Sequence, residues 1–135
     1  MSWIGKGSSS VVGEPRFLLD TNILIYVAAG RSEPLRERME QCLPGSVVTS
    51  TLCVAEALFG GASEAQLGAV IRAFEALPFD LEAARTFPSI PFHHGRLDRL
   101  VAAQALSRNL IVVTNNERDF ADVPGLRVEN WTLPL

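Results

Sequence analysis

The chain has 135 residues, of which 47% are apolar and 20% charged, with a formal net charge of −3 and a sequence pI near 5.3. That length and apolar content fit one domain with a real core and exclude a chain that stays disordered. The acidic balance excludes a protein that coats nucleic acid through bulk positive charge, but not an enzyme that meets phosphate through bound metal ions. Cys42 and Cys53 form no CxxC pair and no paired histidines accompany them, so a reduced, cytoplasmic protein is expected. No uninterrupted apolar run is long enough to cross a bilayer, so no membrane role is expected.

Taken in chain order, "MSWIGKGSSSVVGEPR" lacks the apolar core of a signal peptide, and residues 1–15 read as a flexible tail. Within it, "GKGSSS" lacks the spacing of a phosphate loop and follows no strand. Residues 16–135 read as a single domain. Positions 16–19 form a short buried strand. Asp20-Thr21-Asn22 supplies helix caps, and "ILIYVAA" is a helix closed by Gly30. "SEPLRERMEQCL" is an amphipathic helix that runs to Pro44-Gly45. "SVVTS" (46–50) is a second strand, and "TLCVAEALF" a helix stopped by Gly60 and Gly61. "SEAQLGAVIRAFEAL" (63–77) reads as one helix capped by Ser63, followed by a short helix at "LEAARTF" and a proline-rich loop, "PSIPFHHG". "RLDRLVAAQALSRN" is a helix with Asn109 as its cap. "LIVVT" (110–114) is a third apolar strand, and "LRVEN" a last one. Strands alternating with helices, and strands that are continuously apolar, predict an α/β fold with a mainly parallel central sheet covered on both faces.

Open parallel sheets build their sites beyond the carboxyl ends of the strands. Four acids fall in such places or stand alone in apolar helices. Asp20 directly follows the first strand; it is readable as a helix cap, a role compatible with a site. Glu56 is the sole charge between Ser50 and Ala62. It is readable as a surface glutamate near a helix end or as a functional carboxylate. Asp98 lies in the first turn of its helix, where the helix dipole favours an acid, and Ala102, Ala103 and Ala105 beyond it suggest close packing on the sheet. Asp119 follows the third strand in "TNNERDF", either as a turn residue or as part of a site, with Asn116 able to hydrogen-bond nearby. Asp122 reads as a surface-turn residue.

Four carboxylates in one cleft repel one another unless some protonate or a cation joins them. All-oxygen ligands suit Mg²⁺ or Mn²⁺ rather than Zn²⁺. A carboxylate cluster of that kind suits phosphodiester hydrolysis, which then needs no protein nucleophile.

"LLDTN", "TSTLCVAEALFG", "LDRLVAAQAL" and "LIVVTNNERDF", in that order, resemble the PIN domain, and most of all the VapC-like ribonuclease toxins of bacterial type II toxin–antitoxin pairs. The likeness runs from Phe17 to the C-terminus. It implies a three-layer α/β/α sandwich and a Mg²⁺- or Mn²⁺-dependent ribonuclease. On this resemblance Asp20, Glu56, Asp98 and Asp119 take the acidic positions, with Asp20 and Asp98 as the most direct metal ligands. Thr21, Asn22, Thr114 and Asn116 take the polar positions around them. A homodimer and a cognate antitoxin whose tail covers the cleft are implied as well. The N-terminal extension and the short segment carrying His93 and His94 depart from the family pattern, which bears on substrate preference more than on chemistry. RNA is expected at a cleft rimmed by Arg16, Arg96, Arg99, Arg118 or the two histidines. Two further readings keep the fold: a housekeeping RNA-processing nuclease, and a catalytically inactive binding module. A nucleotide-binding protein would want a glycine-rich loop after a strand, and a receiver domain a late lysine where this chain has only Lys6.

Overall fold

The structure is a computed structural model that describes residues 13–91 and 95–134. Most of the expected N-terminal tail, and both His93 and His94, lie outside the described residues. The described strands are β1 (Phe17–Leu19), β2 (Val47–Ser50), β3 (Ala76–Leu77), β4 (Ile111–Val113) and β5 (Val128–Glu129). They form one sheet in the order β3-β2-β1-β4-β5, and every pairing is parallel. Phe17 stands beside Val47 on one side and Ile111 on the other, so β1 is the central strand. Leu18, Leu19, Val48, Val112 and Val113 are all at most 1% exposed, because helices cover both faces.

Those helices are α1 (Thr21–Ala29), α2 (Glu33–Glu40), α3 (Thr51–Phe59), α4 (Glu64–Ala73), α5 (Leu81–Thr86) and α6 (Arg96–Ser107). The expected three-layer α/β/α sandwich is thus present. α1 packs against α3 and α4, and α5 against α6. Side-chain caps set several starts: Ser50 accepts from the Leu52 N–H at 3.0 Å, and Asp80 from that of Ala83 at 2.9 Å. α1 ends at Gly30 with φ of +67°, a left-handed stop that suits glycine.

Several element boundaries shift by a residue or two from the sequence reading, and three differences have a visible physical cause. The helix expected over 63–77 stops at Ala73, and Ala76–Leu77 instead adds an edge strand beside Thr49–Ser50. Pro78 pushes Leu77, the residue before it, out of the helical region, and the chain is already extended at Phe74, with φ −127° and ψ 135°. α2 stops at Glu40 rather than running to Leu43, because the chain tightens into turns there, with Cys42 N–H donating to Met39 O and Ser46 N–H to Leu43 O. The last strand is shorter than "LRVEN", pairing only at Val128 and Glu129. α6 ends at Ser107 with Arg108 in the cap position rather than Asn109, which follows it in the left-handed conformation with φ of +55°.

The short edge strand is held from below. Gln104 on α6 is 1% exposed, and its Nε2 donates to Leu77 O at 2.9 Å and Pro78 O at 3.1 Å. Gln104→Ala leaves those carbonyls unpaired beside a cavity, and should cost about 2–4 kcal/mol in urea unfolding. Gln104→Glu, which loses the donor but keeps the volume, should be at least as damaging at neutral pH.

Candidate active site

The strand order reverses between β1 and β4: the chain builds outward from β1 through β2 to β3, then crosses back to β4 and β5. Crevices at such switch points, beyond the carboxyl ends of the strands, are where open α/β sheets bind ligands. Asp20 stands there, one residue past β1, and the loop after β4 stands beside it. A cleft of about 320 Å³ opens at this point, lined by Asp20, Thr21, Asn22, Glu56, Asp98, Asn116 and Asp119, with Ile25 and Gly60. All four acids from four separate segments therefore face one space.

Each carboxylate is positioned by its local structure. Asp20 caps α1, accepting the Ile23 N–H at 3.1 Å, and its backbone N–H donates to Val113 O at 3.0 Å. The cap and a place in the site thus coexist in one side chain. Thr114 is fully buried just past β4, where its hydroxyl bonds Asp20 and accepts the Asn116 N–H at 3.0 Å. Thr21 Oγ1 donates to Glu56 Oε1 across α1 and α3. Asn116 Nδ2 donates to Asp119 Oδ2 at 2.9 Å. Asp98 sits in the first turn of α6, whose cap position is Gly95, a residue with no side chain to occupy the helix start.

Two supports were not evident from the sequence. A Cβ on Gly95 would fall 3.0 Å from Asp98 Oδ2, so glycine there keeps space for the carboxylate. Arg99 has a side chain only 3% exposed; it donates to Asp122 Oδ1 at 2.9 Å and to the backbone carbonyl of Asp119. It fixes the Asp119 loop to α6 and is not on the rim as a phosphate contact. Asp122, read as a plain turn acid, is its partner. Arg16 also leaves the rim: it precedes β1, at the opposite end of the sheet, and its guanidinium lies 5.3 Å from the Phe17 ring centre. Arg96 and Arg118 are exposed, on the first turn of α6 and in the 3-10 turn at Glu117–Asp119 respectively.

The electrostatics follow from this crowding. Asp20 is raised to about 6, mainly by burial, with Glu56 and Asp119 adding repulsion and the Thr114 and Ile23 bonds opposing it. Asp98 is also raised to about 6, again mainly by burial and then by Asp119, Asp20 and Glu56. Nearby Cys53 is pushed up to about 12 by burial and the same negative field, so it is an inert thiol. Among the described residues no three acidic, imidazole or thiol groups already converge as an ion cage. The donor set itself is all oxygen, and two of its members are acids that resist ionising without added positive charge; both features fit a hard divalent cation.

Residues 17–126 match the family model of the PIN domain. The chain belongs to the PIN domain family. It is 33% identical to the tRNA(fMet)-specific endonuclease VapC of Salmonella typhimurium, over 86% of this chain and 98% of that one. It is 29% identical to ribonuclease VapC1 of Haemophilus influenzae, with the same coverage. Among solved structures it resembles the DNA-bound VapBC of Salmonella typhimurium, with a TM-score of 0.74 and 32% identity over 87% of this chain and 98% of that one. These findings agree with the PIN-type, VapC-like resemblance read from the four motifs.

Both raised acids bind protons more tightly folded than unfolded, so the folded state loses stability as pH rises from about 4 through 6. For Asp20 the cost of ionising is on the order of 3 kcal/mol. Asp20→Asn keeps an N-cap and removes the charge. In EDTA it should therefore unfold at a higher temperature than wild type at pH 7.5, and the difference should vanish near pH 4. A variant equal to wild type at every pH would contradict this electrostatic picture.

Proposed function

We infer that this protein is an endoribonuclease that hydrolyses RNA phosphodiester bonds with Mg²⁺ or Mn²⁺, as the toxin of a toxin–antitoxin pair. One observation carries the reading. Four carboxylates from distant segments line a single cleft at the sheet's switch point, in a PIN-family chain about one-third identical to VapC endonucleases. Asp20 and Asp98 would hold the principal ion, and Glu56 and Asp119 would complete its surroundings or orient the attacking water. When bound, such an ion supplies a lowered pKa for that water and relieves the charge at the scissile phosphate.

The chain's own residues do the placing. The α1 cap and the Thr114 hydroxyl fix the orientation of Asp20. Thr21 steers Glu56, and Asn116 steers Asp119. Arg99 keeps the Asp119 loop on α6, which holds the Asp119 carboxyl group within hydrogen-bond reach of Asp98. Arg96 and Arg118 are exposed cations on the elements that carry Asp98 and Asp119, and would help a polyanion approach a protein of net charge −3. An antitoxin partner accords with the VapBC complexes among the similar structures. We extend the reading to a homodimer that acts in the cytoplasm. Separately, among the described residues no helix is long and apolar enough to cross a membrane.

Purified protein should cut RNA with Mg²⁺ or Mn²⁺ and lose that activity in excess EDTA; persistent cutting would defeat the metal assignment. Asp98→Asn should lower the rate about 100-fold or more, as expected when several kcal/mol of transition-state stabilisation is removed. Expression should arrest growth, and co-expression of the adjacent gene product should relieve the arrest. Cleavage without growth arrest would favour the housekeeping nuclease.

A further inference from the structure

Phe59 is 94% exposed, the most exposed large apolar side chain among the described residues. It ends α3, three residues beyond Glu56, and so is a surface neighbour of the acid one turn earlier on that helix. The next residue, Gly60, lines the cleft itself. Gly60 has φ of −78° and ψ of 1°, a conformation open to any residue. A Cβ there would meet only carbonyls of its own helix, Glu56 O at 3.4 Å and Ala57 O at 3.7 Å. The backbone thus does not demand glycine at 60, in contrast to Gly61 with φ of +103°. What the missing side chain leaves is clearance in the cleft wall beside an uncovered aromatic ring.

Three parts of the chain surround the cleft. Asp98, Asn116 and Asp119 come from α6 and the loop after β4; Asp20, Thr21, Asn22 and Ile25 come from the end of β1 and α1; Glu56 and Gly60 come from the end of α3. Phe59 lies on α3 between those last two lining residues in the chain and leaves its ring exposed. A single RNA strand whose phosphate lies at the acids has to direct its bases elsewhere, and unstacked bases bind well to aromatic rings. We propose that Phe59 and Gly60 form a nucleobase seat: the Phe59 ring is a stacking platform for an unpaired base next to the cut, and Gly60 gives the strand room to pass. The proposal rests on the ribonuclease reading. It makes Phe59 a substrate-positioning residue that selects single-stranded over duplex RNA, because a paired base cannot reach the ring.

The test uses the full chain, its divalent ion and a short single-stranded RNA that contains the cut site. Copies of that RNA carry one abasic nucleotide at each position in turn. Phe59→Ala should raise KM about tenfold or more with kcat little changed, Phe59→Trp should keep the wild-type KM, and Phe59→Leu should behave like alanine. One abasic position should weaken wild type about tenfold and leave Phe59→Ala indifferent, since ring and base are lost as a pair. Gly60→Val should raise KM as well. An unchanged KM in Phe59→Ala, or equal sensitivity of both proteins to every abasic position, overturns the seat while leaving the nuclease reading intact. So does an effect confined to oligomeric state or antitoxin affinity, which would make Phe59 a protein contact. Wild type that cuts no RNA with either metal removes the reading beneath, and the seat with it.

Discussion

The cost of burying carboxylates, with their mutual repulsion added to it, is the constraint on which this molecule turns. Asp20 and Asp98 sit where water is scarce and where two further acids add their fields. An arrangement of that kind opposes folding, so the scaffold has to hold it by other means. It does so with buried aliphatic residues in the central strands, by placing the acids on the ends of rigid strands and helices, and by giving Asp20, Glu56 and Asp119 each a hydrogen-bond donor. A hard cation, as proposed for the cleft, would offset the repulsion that the protein maintains, so the proposed chemistry draws on the same electrostatics.

Most of the fold, and the position of the acids within it, could be read directly from the residues. The strands at 17–19 and 111–113 are wholly apolar, that at 47–50 opens on two valines, and Glu56 stands alone in an apolar helix, so periodicity and contrast marked them. What escaped depended on long-range contacts. Ala76–Leu77 looks helical in isolation and becomes a strand only because Pro78 blocks the helix and Thr49–Ser50 and Gln104 offer partners. Arg99 looks like one of several exposed cations. Its burial follows from Asp122 and the Asp119 carbonyl, and neither is near it in sequence. Gly95 carries no local sign that the space it leaves serves the carboxylate three residues later.

The supports around the cleft also divide its labour. Arg99 neighbours Asp98 in the chain, yet it points to the opposite task, binding the loop that carries Asp119. α6 therefore presents an acid to the cleft and a buried cation to its own protein from adjacent positions. Movement of that helix would carry both acids together, which keeps their spacing stable even though they are 21 residues apart in sequence (119 minus 98).

Asp20 answers to two demands, since it also starts α1, whereas Asp98 caps nothing. In a lineage that had abandoned catalysis, drift would therefore reach the two positions unequally. The first would be retained, or replaced by asparagine, for the sake of the helix. The second would scatter freely. An aspartate at the end of the central strand is thus poor testimony that a descendant still works, and the state of the α6 acid is the better witness.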